Sequence, residues 1–337
     1  MNEPAQSSRP ADPAELFDVV VVGAGAAGLS AAVTLGRSRR SVLVLDGGPP
    51  RNAPAAGMHN YLGLDGAAPA DLLAAGRAEA EHYGVHIRRT RAVGASGGRD
   101  DFRIALADGS TVGARRLIVA SGVVDQLPAV PGLAARWGRD VLHCPYCHGW
   151  EVRDQAIGIL AAGPHSLHQT LLFRQLSTDV IVFAEPGVLP AEAVEQLTAL
   201  GVPIVDVPVE QVVVTDDRLS GVRLTDGRLI RRDALAVTTR AVADSPVLDD
   251  LGLTPAPHPL GPHFGETYPS DPMTGATSVP GVSLAGNVTD PMVMVVVAAG
   301  RGTMTGAMVN AELAASDAAA RTAAARAAAP QPALESR

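Results

Sequence analysis

Lysine is absent from this chain: all 27 of its basic side chains are arginine, a usage that reads as codon bias rather than function. Set against 35 Asp and Glu they leave a formal charge of −8. That balance excludes the basic face a nucleic-acid partner needs. Aromatic residues are scarce at 3%, so a core must be assembled from Val, Leu, Ile and Ala. Long apolar runs are missing too. The longest, Val19–Val22 and Met292–Ala299, fall far short of the roughly 20 residues of a membrane span. The first sixteen residues are polar and Pro-rich, without the apolar segment of a secretory signal. A cytoplasmic protein without a membrane partner is expected. There, the two cysteines are more often catalytic or metal-binding than structural.

What is present is organised as two copies of one plan. At 337 residues the chain is long enough for two domains, one of them split in sequence. Phe17–Val22 reads as a buried parallel strand, Leu29–Leu35 as a helix, and Ser41–Leu45 as a second strand ending at Asp46. Downstream, Ala156–Leu160, Leu167–Leu176 and Asp179–Ala184, ending at Glu185, repeat that order. Arg116–Ala120 is a further strand before Ser121-Gly122, and Ala234–Thr238 another. Pro255–Pro272 reads as a loop returning the chain to the first unit, Val282–Ala285 as a short strand, and Pro291–Leu313 as a long helix. The expected class is α/β, with two Rossmann-like three-layer domains. The first comprises 14–130 and 254–322, the second 131–253, and 323–337 is expected to be a disordered tail beyond a frayed Ala-rich helix.

Gly23-Ala-Gly25-Ala-Ala-Gly28 opens the first unit. Gly23 suits a tight turn, Gly25 lets a pyrophosphate reach the backbone, and Gly28 lets helix and strand pack closely. Ala26 and Ala27 begin the helix whose N-terminus stabilises phosphate charge. Asp46, 23 positions after Gly23, is placed to accept from ribose hydroxyls. Strand, helix, second strand and acid agree, so a dinucleotide site is preferred over a merely structural glycine turn. Gly47, Arg51 and Asn52 in the Pro-rich turn that follows join the cofactor candidates.

The only cysteines form Cys144-Pro-Tyr-Cys147, flanked by His143 and His148. Four readings arise. Cys-x-x-Cys-His is a covalent haem pattern, but neither an export signal nor an axial ligand is found. A zinc site would need His143 and His148 to close a tetrahedron with their sequence neighbours. Two inert buried thiols are the bland alternative. The fourth reading, a redox dithiol beside a titratable imidazole, is preferred, and no metal is expected.

Taken together, the glycine turn, Ala120-Ser121-Gly122, the cysteine pair and Thr277–Asn287 resemble the low-molecular-weight thioredoxin reductase family over roughly residues 16–322. The resemblance implies FAD in the first unit, and a homodimer. Ser121 and Gly122 would lie along it. Gly286 and Asn287 would match the C-terminal flavin motif, with Asn287 where Asp is usual. Met294 and Val295 occupy the first turn after Pro291, where the family has Arg-Gln, so only backbone contacts carry over. His59 and Asn60 fall where the family packs residues near the isoalloxazine; the alternative is that they are plain loop residues. Cys147 would be the flavin-side thiolate and Cys144 the exchanging sulfur. His148 stands where an acid/base Asp is usual.

In the second unit the three glycine positions read Ala161, Gly163 and Ser166, which crowds a pyrophosphate turn. Glu185 would repel a 2′-phosphate, and Arg174 is a poor substitute for the expected arginines. Loss of the nicotinamide cofactor is the preferred reading, and a divergent NADH site the alternative. Cys-Pro-Tyr-Cys-His-Gly and Ala285–Met292 resemble more narrowly the dithiol oxidases of gliotoxin and holomycin biosynthesis. That implies a small or peptidic dithiol as substrate and O₂ as acceptor, released as H₂O₂. A reductase of a thioredoxin-like protein and a non-catalytic flavoprotein sensor are the other two hypotheses.

Overall fold

The computed structural model describes residues 15–261 and 264–328. Leu16–Val22 is a strand because its apolar, β-branched run is paired in parallel on both edges, to Val42–Leu45 and to Thr111–Val119. Outward from these, the seven-stranded sheet adds His86–Arg88 on one side and Asp101–Leu106 with Ala92–Gly98 on the other. The edge of Thr111–Val119 away from Leu16–Val22 is shared between two partners. Its first half pairs antiparallel with Asp101–Leu106, while Leu117–Val119 pairs in parallel with Val282–Leu284. A strand from late in the chain therefore completes the sheet begun at residue 16.

Side-chain alternation divides the core. Val20, Val22, Leu43 and Leu45 face one buried layer, and Val19, Val21, Val42 and Val44 the other. The second layer is covered by the helix Ala26–Arg37 and the C-terminal helix Val295–Ala328. Small residues let these two cross closely: a Cβ on Gly302 would lie 2.0 Å from the Ala27 carbonyl oxygen.

The second sheet is parallel throughout, in the order Ile204–Val205, Val180–Phe183, Ile157–Leu160, Ala234–Val237, Val141–Leu142. Helices Ser166–Arg174 and Ala191–Ala199 cover one face. A three-stranded antiparallel sheet, Val209–Thr215, Arg218–Leu224 and Leu229–Ile230, covers the other. The two chain crossings run side by side, Val124–Gln126 antiparallel to Arg240–Val242. This is the two-domain Rossmann architecture expected.

Three expectations change. The last long helix begins at Val295 rather than Pro291, because Pro291 sits in a preceding turn. There Asn287 Nδ2 donates to the Asp290 and Val293 carbonyls, and Arg51 to the Pro291 carbonyl. That helix then continues to Ala328, through residues expected to begin the tail. Its Ala content favours the helix, and Asp317 ties it to Arg40 and Arg115 while Glu312 meets the fully buried Arg116. The rest of the expected tail, and residues 1–14, lie outside the described residues. Finally, the Pro-rich return loop contains a small antiparallel pair, Ala256–Pro257 with Glu266–Thr267. Among the described residues no helix is long and apolar enough to cross a membrane.

Candidate active site

Gly23 takes φ +108° at the end of the first strand, where a Cβ would stand 2.4 Å from the Ala120 carbonyl oxygen. A Cβ on Gly28 would meet the Gly23 carbonyl oxygen at 1.9 Å, so both positions require glycine for packing. Gly25 is different: nothing among the described residues lies within 4 Å of its missing Cβ, and it lines a cavity of about 1140 Å³. That exceeds the roughly 300–1,000 Å³ usual for small-ligand pockets. Gly23, Ala26, Ala27, Gly47, Arg51 and Asn52 line the same space. So do His59, Ser121, Gly122, Gly286, Asn287, Met294 and Val295. An open glycine face, a helix N-terminus and a cavity of this volume fit a dinucleotide whose pyrophosphate lies against the first helix.

Asp46, Gly28 and Asn60 are not part of the lining. Asp46 is 7% exposed and accepts from Gly48 N–H at 3.2 Å and from Arg77 Nη2 at 2.9 Å. Asn60, at φ +60°, donates to the Tyr146 carbonyl at 2.5 Å and so holds the cysteine turn. Arg77 and the cavity-lining Arg91, beside Gly47, were not legible as site residues. Arg77 pairs with Asp46 from an element that shares no motif with it.

The cysteine turn opens into this cavity. Pro145–His148 forms one helical turn with Cys144 as N-cap, its Sγ accepting from Cys147 N–H at 3.2 Å. The Cys144 thiol is lowered to about 7, first because the Cys147 thiol donates to it. The Cys147 and Tyr146 N–H groups and the Arg51 charge add to this, and burial opposes it. Cys147 moves up, because its proton is held in that same bond and burial disfavours a second thiolate. Within this turn the environment favours the thiolate on Cys144. The reason is local: only the N-cap sulfur meets the turn's amides.

Burial first, and His59 second, push the His148 imidazole down from its ordinary value, against Glu151 and a backbone bond with Gly57. It is neutral near pH 7, and among the described residues its buried Nε2 has no hydrogen-bond partner, as a proton acceptor requires. His59 reaches Asp65 at 2.9 Å through Nδ1 and Glu151 at 3.3 Å through Nε2. Glu151, three positions after His148, is a neighbour that helical spacing could have flagged. His143 is committed elsewhere: its Nδ1 pairs with the Val237 carbonyl at 3.1 Å. Arg51 holds Asp125 with two bonds, 2.6 and 2.7 Å, while reaching the Pro291 carbonyl. Among the described residues no three of His, Cys, Asp and Glu are grouped to hold a metal ion.

In the second unit, Ala162 N–H donates to Ser166 Oγ at 3.1 Å, so the loop satisfies its own amide. A Cβ on Gly163 would lie 3.2 Å from the His165 ring, so that imidazole is folded over the one remaining glycine. Arg174 donates to the Leu200 carbonyl.

A nucleotide cradle and a polarised thiol pair that open into one cavity define a thiol oxidoreductase. The chain belongs to the pyridine nucleotide-disulphide oxidoreductase family, whose model matches residues 17–303. It is 33% identical to thioredoxin reductase tcpT of Claviceps purpurea over 285 residues, 81% of this chain and 86% of the relative. It is 32% identical to thioredoxin reductase sirT of Leptosphaeria maculans over 320 residues, 90% and 96% of the two chains. The crystal structure of HlmI is similar at 42% identity and TM-score 0.85, over 93% of this chain and 98% of that one. The thioredoxin reductase-like resemblance drawn from the motifs is thereby established, and members of this family are flavoproteins.

Proposed function

We propose that this enzyme is an FAD-dependent dithiol oxidase, using Cys144 and Cys147 to convert a small or peptidic dithiol to a disulfide with O₂ as acceptor. The observation that carries the reading is the closed second loop. Ala162 N–H is already bonded to Ser166 Oγ and the His165 ring lies over Gly163, which supports a turn with little room for a nicotinamide pyrophosphate. An oxidase fed by thiols has no use for that cofactor.

With the pair oxidised, a substrate thiolate attacks Cys144 Sγ, forming a mixed disulfide and releasing Cys147 as thiolate. His148 Nε2 accepts the proton given up by the second substrate thiol. That second sulfur attacks the first, the substrate leaves as a disulfide, and Cys144 departs as the thiolate its N-cap stabilises. The pair then holds two electrons from one dithiol. The chemistry that bound FAD supplies is acceptance of those electrons and their passage to O₂, which leaves as H₂O₂. Arg51, Gly25, Ser121 and Asn287 would hold the cofactor.

A second reading, a disulfide reductase fed by NADH, draws on Glu185, whose carboxylate suits an unphosphorylated ribose. Anaerobic mixing separates the two. Dithiothreitol is expected to bleach the bound flavin, and O₂ to restore its colour with H₂O₂ released. NADH and NADPH are expected to leave it yellow. Rapid bleaching by either nucleotide but not by dithiol removes the oxidase reading.

A further inference from the structure

The His165 ring has partners from the other unit. It packs on Phe264, ring centroids 5.5 Å apart at 48°, and Phe264 packs on His258 at 5.6 Å and 53°. His258 is fixed in turn: its Nδ1 accepts from Leu260 N–H at 3.2 Å, and its Nε2 lies 3.6 Å from Asp290. His165 and Phe264 both line the cavity that contains Cys144 and Tyr146, together with His168, Gln169 and Leu172 from the same helix. Gln169 Nε2 donates to the His143 carbonyl at 2.8 Å and to the Val237 carbonyl at 3.2 Å. That fastens the helix carrying His168 to the residue just before Cys144. The rings are thus built into the cavity's wall from both units and referenced to the cysteine turn.

We infer that His165 and Phe264 are specificity-determining residues: at the loop position where a nucleotide would bind phosphate, they form the wall on which the body of the dithiol packs while its sulfurs meet Cys144. The inference rests on the dithiol reading above and goes beyond it by naming the residues that select among dithiols. Two tilted ring faces favour a planar or aromatic body. Anionic thiols find no guanidinium here. Among the described residues the only arginines lining the cavity are Arg51, held by Asp125 and the Pro291 carbonyl, and Arg91, beside Gly47 at the nucleotide end.

The test compares 1,2-benzenedimethanethiol with dithiothreitol in aerobic turnover of the flavin-loaded protein. Both are small neutral dithiols, and only the first carries a ring. In His165→Ala and Phe264→Ala the ratio of kcat/KM for the aromatic over the linear dithiol is expected to fall about tenfold, through KM rather than kcat. Phe264→Leu, which keeps apolar bulk and guards against a folding defect, should lower it in the same direction. Calorimetric binding of the aromatic probe's cyclic disulfide should weaken in parallel, a readout that needs no turnover. A ratio and a binding constant unchanged within about twofold in all three variants would overturn the inference. Failure of the wild-type protein to oxidise either dithiol with O₂ would instead sink the oxidase reading, and the calorimetry would still decide whether the wall binds.

Discussion

Two thiols three positions apart are different acids here, and the difference sets the direction of exchange. Cys144 caps a helical turn and collects N–H groups, whereas Cys147 lies within the turn and keeps its proton, donating it in a hydrogen bond to Cys144. Alkylation of the reduced protein should therefore proceed at Cys144 with a midpoint near pH 7, read by mass spectrometry of the modified peptide. Cys147→Ala removes the largest stabilising donor, so the Cys144 midpoint should rise. A midpoint that stays near 7 in that variant would assign the stabilisation to the backbone alone. His148 belongs to the same scale. Burial holds its imidazole neutral, so it is already a base at pH 7. His148→Ala is expected to slow dithiol turnover by about 10²-fold and to abolish the acid-side limb of the profile, which in the parent lies below the ordinary histidine range. An unchanged profile would remove the base role.

Among elements, the tightest constraint is the crossing of the first and last helices. Exchanging Gly302 for alanine in an isolated helix would gain about 1 kcal/mol from propensity. Here the added methyl would stand 2.0 Å from the Ala27 carbonyl oxygen, far inside contact. The helices must separate, at a cost of about 1–3 kcal/mol. Gly302→Ala is therefore expected to melt earlier and to retain less flavin, since Ala26 and Ala27 form the cradle on the other side. An unchanged melting midpoint would mean that the crossing has slack. How far such elements were legible follows from distance along the chain. The glycine turn, the acid at 46 and the cysteine pair are local patterns, and each lies on the element expected. Arg77 and Asp46 are 31 positions apart, and Arg51 and Asp125 are 74 apart; no period or motif joins either pair. The end of the last helix was misjudged for the same reason. Its anchor, Asp317, meets Arg40 from 277 positions away. The N-cap role of Cys144 is local and legible: Cys144 followed by Pro145 is itself an N-cap signature.

For the molecule as a whole, the acidic excess is organised around a few arginines that tie distant segments together. Asp317 is pulled down to about 2 by bonds from Arg40 and Arg115. Burial would raise Asp125, Asp100 and Asp18, yet Arg51, Arg116 and Arg115 with Ser41 respectively outweigh it, and all three sit below the ordinary carboxylate value. A carboxylate whose folded pKa is depressed releases its proton more readily in the native state. Its contribution to stability is therefore complete above the unfolded value of about 3.9 and is lost as pH falls through the folded value. The thermal midpoint should be flat from neutrality to about pH 5 with respect to these groups, then fall steeply between about 4 and about 2. Asp317→Asn should lower the midpoint at pH 7 and flatten the acid slope, because one depressed carboxylate no longer titrates. Asp125→Asn differs in kind. It removes the counter-charge of Arg51, which stays on the Pro291 carbonyl, so the cation acts less screened on the Cys144 thiolate. Its melting change should therefore come with a downward shift of the Cys144 alkylation midpoint. Asp317→Asn, far from the thiols, should leave that midpoint where it was. If both variants moved it equally, Arg51 would be acting through overall charge rather than through its bonds to Asp125.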